Sequence, residues 1–320
     1  MVLPLDHPVV SSLLPVVFLI LTGWVAGRAR LIRAEAVRDL SNLVFLVLTQ
    51  ALLFRTMSSV HIEQLDFRPV SLYFAVAGVL FAALVVARGL NSRSAILALS
   101  SIFSNTIMIG IPLIGLAYGE SALVLLFTLI YLHALVLLTA ATVVMELLMA
   151  HEQAATGTGP RRHPVATVAQ AVRSAIIHPV PMPIIAGLLF AQTGWTLPGV
   201  VDRPLLLLGN AFGPVALVLV GVTLSYAAIG KEFKGALVIA GIKTLLHPLL
   251  MALAGWAMGL RGPTLAVLVV AASLPVGANV FLFSQRYQKA EDLVTASVAV
   301  STVLALLSVT LVMTLVPYLG

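Results

Sequence analysis

Roughly ten apolar runs, each about the 20 residues a helix needs to cross the hydrocarbon core of a bilayer, dominate this sequence. They fall near 9–27, 38–57, 69–87, 94–117, 121–148, 174–192, 204–229, 235–258, 263–285 and 291–317. The runs are continuous and rich in Leu and Ala, without the alternating register of a membrane barrel, so they are expected to be helices. Composition agrees. With 60% hydrophobic and 9% charged residues and a mean hydropathy of +1.10, the chain has too little polar side chain to clothe a soluble globule. The expected fold class is an all-α polytopic membrane protein with ten transmembrane helices.

The charges carry topology. Thirteen of the 18 Lys and Arg residues follow odd-numbered runs: Arg28, Arg30, Arg33, Arg38, Arg88, Arg93, Arg161, Arg162, Arg173, Lys231, Lys234, Arg286 and Lys289. Only Arg55, Arg68, Arg203 and Arg261 lie on the other side, and Lys243 sits inside a run. The positive-inside rule then makes the odd-to-even loops cytoplasmic and puts both termini on the non-cytoplasmic side, in what is expected to be a bacterial inner membrane. The net charge of +6 is thus accounted for without a nucleic-acid partner. No basic residue precedes the first run, so the first helix is expected to be retained and not cleaved as a signal. The absence of cysteine excludes disulfides, thiolate metal sites and thiol catalysis.

A repeat follows from three coincidences at one offset of 171 residues: "HPV" at 7–9 and 178–180, "TGW" at 22–24 and 193–195, and a glutamate opening the fifth and tenth runs, Glu120 and Glu291. Five helices per copy is an odd number, so the second copy enters the membrane from the opposite side and the halves form an inverted-topology repeat. The expected organisation is a first five-helix repeat at 1–150, a cytoplasmic linker at 151–173 and a second repeat at 174–320.

Two corresponding runs are broken. The fourth contains "SNTIMIGIPLIGLAYGE", with Asn105, Thr106, Gly110 and Pro112, and the ninth contains "LPVGANVFLFSQRY", with Pro275, Gly277 and Asn279. Proline removes an intrahelical hydrogen bond and glycine loosens the backbone, which lipid cannot tolerate unless the freed groups are buried in protein or line a wet cavity. Paired interruptions in corresponding positions of inverted repeats point to a transporter's midplane site. A proline kink alone is ordinarily packing, and each Asn could simply cap its own break.

These two stretches, with "NLVFLVLTQALLFRTM" in the second run, resemble the auxin efflux carrier family, which includes bacterial carriers named as malonate transporters and, more distantly, the plant PIN proteins. The resemblance extends over most of the chain. It implies ten helices in two inverted five-helix repeats, with the fourth and ninth crossing at their prolines and small organic anions bound beside the crossing. It also implies that helices one, two, six and seven form a scaffold, often dimeric, against which the rest moves. Many relatives carry a proline near the position of Gln50, where this chain departs from the pattern.

An anionic substrate is expected on independent grounds. Half-helix N-termini carry partial positive charge and free N–H groups. The ionisable residues deep in the runs are His133, Lys243 and His247, with no acid, whereas a cation carrier would place Asp or Glu at depth. Lys243 reads either as a counter-charge or proton carrier, with His247 on the same face, or as a lysine snorkelling to the cytoplasmic surface. His133 reads as a packed histidine or a proton relay, and Gln50 and Thr49 as substrate contacts or helix-helix contacts. Trp24, Trp195 and Trp256 read as interface anchors.

The expected activity is secondary transport of a small carboxylate such as malonate, held between Asn105 and Asn279 by backbone N–H groups near Gly110 and Gly277. A proton or sodium is the candidate coupling ion, with uniport as the alternative, the lipid bilayer is the setting, a homodimer is the candidate assembly, and no cofactor or metal is called for. No Walker loop, metalloprotease helix or nucleophile elbow is present, so an enzyme is not expected. The rival readings are a membrane receptor using the same pocket and an anion channel.

Overall fold

The computed structural model describes residues 8–60, 65–156, 181–227 and 229–319. Among these, the regular structure is helical throughout, as continuous apolar runs dictate. We number the helices α1 Pro8–Arg28, α2 Ala36–Met57, α3 Phe67–Arg88, α4 Ser92–Ile102, α5 Thr106–Tyr118 and α6 Glu120–Thr156. They continue as α7 Pro181–Gln192, α8 Gly199–Ser225, α9 Gly230–Ala257, α10 Gly262–Ser273, α11 Asn279–Tyr287 and α12 Glu291–Leu315. Seven of these, α1, α2, α3, α6, α8, α9 and α12, are long and apolar enough to cross a membrane.

The fourth and ninth runs are each two shorter helices, α4 with α5 and α10 with α11, separated by a few extended residues. The fifth helix continues beyond 148 to Thr156, so the start of the expected linker is helical. The remainder of that linker, residues 157–173, and the "HPV" pair at 7–9 and 178–180 fall wholly or partly outside the described residues. The "TGW" pair is placed differently in its two occurrences. Trp24 lies inside α1, whereas Trp195 follows the end of α7.

Small residues let backbones touch where α1 packs along α8. A Cβ on Gly23 would stand 1.9 Å from the Val218 carbonyl oxygen, and one on Gly221 would stand 1.9 Å from that of Ile20. Gly187 of α7 meets α2 in the same way, 2.7 Å from the Phe54 carbonyl oxygen. Without a hydrophobic drive between helices in lipid, such close backbone approach supplies much of the packing attraction.

The buried apolar residues form two clusters stacked along the helix axes, not one. Along α6 the division falls between Ile130 and Leu137, along α9 between Ala240 and Met251, and along α12 between Val300 and Ala305. Into the gap fall the buried polar side chains of His133, Lys243, His247, Ser301 and Thr302. The broken helices cross at this polar layer.

Helices α2 and α9 each contain a π-turn, at Val44–Leu48 and Ile242–Leu246. The first is stabilised by its own side chains: Thr49 Oγ1 donates to the Val44 carbonyl at 2.7 Å and Gln50 Nε2 to that of Phe45 at 2.9 Å. Single π-turns of this kind recur at functional sites.

Candidate functional site: the crossing of two broken helices

Helix α4 ends at Ile102, and Phe103 turns extended at φ −82°, ψ 111°. Helix α10 ends at Ser273, with Leu274 at φ −59°, ψ 153°. The two extended segments meet antiparallel and exchange backbone hydrogen bonds. Asn105 N–H donates to the Pro275 carbonyl and Gly277 N–H to the Phe103 carbonyl, both at 2.9 Å, around the facing pair Ser104 and Val276. Each break thus supplies the partners that lipid cannot.

Neighbouring helices hold each break from two sides. At the first, Tyr73 of α3 shares a 2.9 Å hydrogen bond with the Ser104 hydroxyl, and Ser104 N–H points at Nε2 of His133 on α6 at 3.5 Å, the outer limit of such a bond. At the second, Ser301 of α12 accepts from Val276 N–H at 3.0 Å, and Lys243 of α9 donates to the carbonyls of Ala272 and Leu274 at 2.5 and 2.7 Å. The lysine is fully buried. It does not snorkel: its ammonium ends inside the protein.

Two helices begin at the crossing, and their N-termini open on one cavity. Asn105 caps α5, its Oδ1 accepting from Met108 N–H at 3.2 Å, which leaves the two amide hydrogens on Nδ2 for another partner. Asn279 opens α11 half-buried, and its side-chain amide makes no hydrogen bond among the described residues. The N–H groups of Thr106 and Ile107 at one end, and of Ala278 and Asn279 at the other, take no backbone acceptor among the described residues. Those of Gly110 and Gly277, by contrast, are already engaged by the carbonyls of Asn105 and Phe103. The free donors lie beside the two glycines and not on them.

The glycines serve close approach. A Cβ on Gly277 would stand 2.8 Å from the Phe103 ring and 3.0 Å from the Ser104 carbonyl oxygen, and one on Gly110 would stand 2.8 Å from a Leu274 methyl. The cavity between the N-termini has a volume of about 40 Å³. Of the residues singled out from sequence, Asn105, Thr106, Gly277, Asn279 and His133 line it. Gln50, Gly110, Pro112, Pro275, Lys243 and His247 do not. Gln50 spends its amide on the π-turn, and Pro112 packs toward Gly213 of α8. Both ring nitrogens of buried His247 lack a partner among the described residues, and its ring lies 5.4 Å from that of Tyr73.

Sequence reasoning missed Tyr73, Ser301 and the aromatic walls Phe45 and Phe103, the last packed edge-on to His133 at 4.4 Å. A buried tyrosine or serine in an apolar helix is too common to signal its partner, which only the tertiary arrangement reveals. No Asp or Glu lines the cavity, and Lys243 is the one Lys, Arg, Asp or Glu fully withdrawn from the surface among the described residues. No cluster of potential metal ligands occurs among them either.

The broken helices of this helical, strongly apolar protein thus present two helix N-termini and two asparagines to one cavity. Comparison with known sequences agrees: the chain belongs to the membrane transport protein family, whose profile matches residues 8–313. It is 27% identical over 309 residues to a Rhizobium meliloti (strain 1021) protein named "Putative malonate transporter", covering 94% of each chain. It is 24% identical over 243 residues to auxin efflux carrier component 8 of Arabidopsis thaliana, covering 64% of this chain and 66% of that one. An uncharacterized transporter of Methanothermobacter thermautotrophicus is 22% identical over 311 residues, covering 94% of this chain and 96% of its own.

Proposed function

We propose that this protein is a secondary carrier for a small organic anion, a short mono- or dicarboxylate of which malonate is the leading candidate. The observation that carries the reading is the convergence of two half-helix N-termini and the amides of Asn105 and Asn279 on one acid-free cavity. Free N–H groups at Thr106, Ile107, Ala278 and Asn279 would receive carboxylate oxygens. The relative named for malonate, similar along nearly its whole length, supports the same substrate class.

Alternating access follows as the mechanism. Ten membrane segments in two inverted five-helix repeats would put the crossing at the pseudo-symmetry axis. Ile102 and Ser273 end the first halves of the broken helices, and Glu120 and Glu291 open the long helices that follow; both pairs are 171 residues apart (273 − 102 and 291 − 120). In this reading the close-packed α1, α2, α7 and α8 stay fixed while the helices around the crossing rock against them, in a homodimer or a single copy. The charge asymmetry supports an inner membrane with both termini outside.

The test is uptake of radiolabelled malonate and related acids into proteoliposomes, with wild type, Asn105→Ala and Asn279→Ala. Saturable uptake that both substitutions reduce at least tenfold is the expected result. Full uptake by Asn279→Ala would remove the crossing from substrate binding, and a flux that never saturates would indicate a channel.

A further inference from the structure

The two breaks are served by different chemistry. Position 243 less the repeat offset is 72, a leucine, and the first break has Tyr73 and His133 where the second has a lysine. Among the described residues, the Lys243 side chain has no carboxylate partner. It rests on the carbonyls of Ala272 and Leu274, at the C-terminal, partially negative end of α10. Contacts of 2.5 and 2.7 Å are at or below the lower end of the charge-assisted range. A dehydrated monovalent cation held by backbone carbonyls is the same coordination chemistry with the tether removed.

We infer that Lys243 occupies, with its own side chain, a monovalent-cation site at the crossing. The substrate anion meets the positive helix ends, while the carbonyls at the negative end of α10 are occupied by a tethered donor that cannot leave. Two consequences follow. The wild-type cycle takes up no free sodium at this position, and removal of the side chain exposes a site for a small monovalent cation. This inference adds to the carrier reading but is read out without substrate, so either can fail alone.

Lys243→Ala deletes three methylenes and the ammonium, the outline of n-propylammonium. The experiment measures melting temperature of purified wild type and Lys243→Ala, with Lys243→Ser as a second, polar variant should the first not accumulate. Each is titrated with propylammonium, sodium, potassium, choline and neutral propanol at constant ionic strength. The expected result is a variant destabilised in choline and raised by about 3 °C or more by propylammonium or by sodium or potassium, with propanol inactive. Wild type should respond equally to all the salts. Equal rescue by propanol would reduce Lys243 to packing. No rescue of either variant by any cation, or a sodium-specific shift in wild type that persists in Lys243→Ser, would overturn the inference.

Discussion

Gly277→Ala places a methyl group where the two broken helices touch. The added carbon would stand 2.8 Å from the Phe103 ring and 3.0 Å from the Ser104 carbonyl oxygen, against a preferred carbon-carbon separation of about 3.5–4.0 Å. Something must yield by about 0.7 Å or more. The Phe103 ring is wedged edge-on against His133, with centroids 4.4 Å apart. The less hindered response is for the segments to part, stretching the two 2.9 Å bonds between Asn105 and Pro275 and between Gly277 and Phe103. Overpacking of this kind costs about 1–3 kcal/mol. Because the free N–H groups of the two N-termini are set by that separation, part of the cost should fall on ligand binding, at about tenfold in Kd per 1.4 kcal/mol. The assay pairs melting temperature without ligand against the upward shift produced by malonate. We expect a drop of a few degrees in the first and loss of most of the second. Gly241→Ala is the control, since nothing lies within 4 Å of its Cβ, and it should leave both unchanged or gain about 0.5–1 kcal/mol of stability. If Gly277→Ala retains the full malonate shift, the close approach of the two segments does not position the site.

Asn105→Ala removes the α5 cap as well as a cavity amide, so it should lose about 1 kcal/mol of stability together with malonate binding. Asn105→Ser should restore the stability through its hydroxyl cap but not the binding, and melting curves with and without malonate separate the two. Tyr73→Phe leaves the Ser104 hydroxyl without its buried partner and should cost about 1 kcal/mol, seen as a lower denaturation midpoint. Gly221→Ala drives a Cβ to within 1.9 Å of the Ile20 carbonyl oxygen, and should sharply reduce the yield of folded protein in detergent. Arg55 and Asp202 pair two-pronged at 2.7 and 3.2 Å but are each about a third exposed. Arg55→Ala should therefore change stability by less than about 1 kcal/mol, and less still in high salt.

The interruptions were legible because Pro275, Gly277 and the Asn105-Thr106 pair violate an otherwise apolar helical pattern, and such violations in lipid need a reason. What the violations could not reveal is which polar groups each break uses up. Gly110 and Gly277 look like donors in a sequence, yet the N–H of Gly110 closes the first turn of α5 on the Asn105 carbonyl and that of Gly277 closes the crossing on the Phe103 carbonyl, and the free donors come from neighbouring residues. Gln50 is similar: a polar residue in an apolar run invites a substrate role, but the π-turn beneath it has a carbonyl that its amide satisfies. Lys243 was visible as an oddity and its setting was not, because backbone carbonyl acceptors leave no mark on the residue types around them. The polar layer between the two apolar clusters was hidden for the same reason, its members being scattered over several helices as single serines, threonines and histidines.

The short antiparallel bridge at Ser104 and Val276 bears on how such a chain can be made. Each broken helix gives one backbone donor to a carbonyl of the other, so each loses a partner that a hydrocarbon environment cannot replace when the other is missing. A chain severed between Thr156 and Pro181 would yield two fragments that could persist only as a pair, each acting as the other's chaperone. The same dependence ties folding to completion of synthesis, because the acceptor for Asn105 N–H is the carbonyl of Pro275, some 170 residues later in the chain.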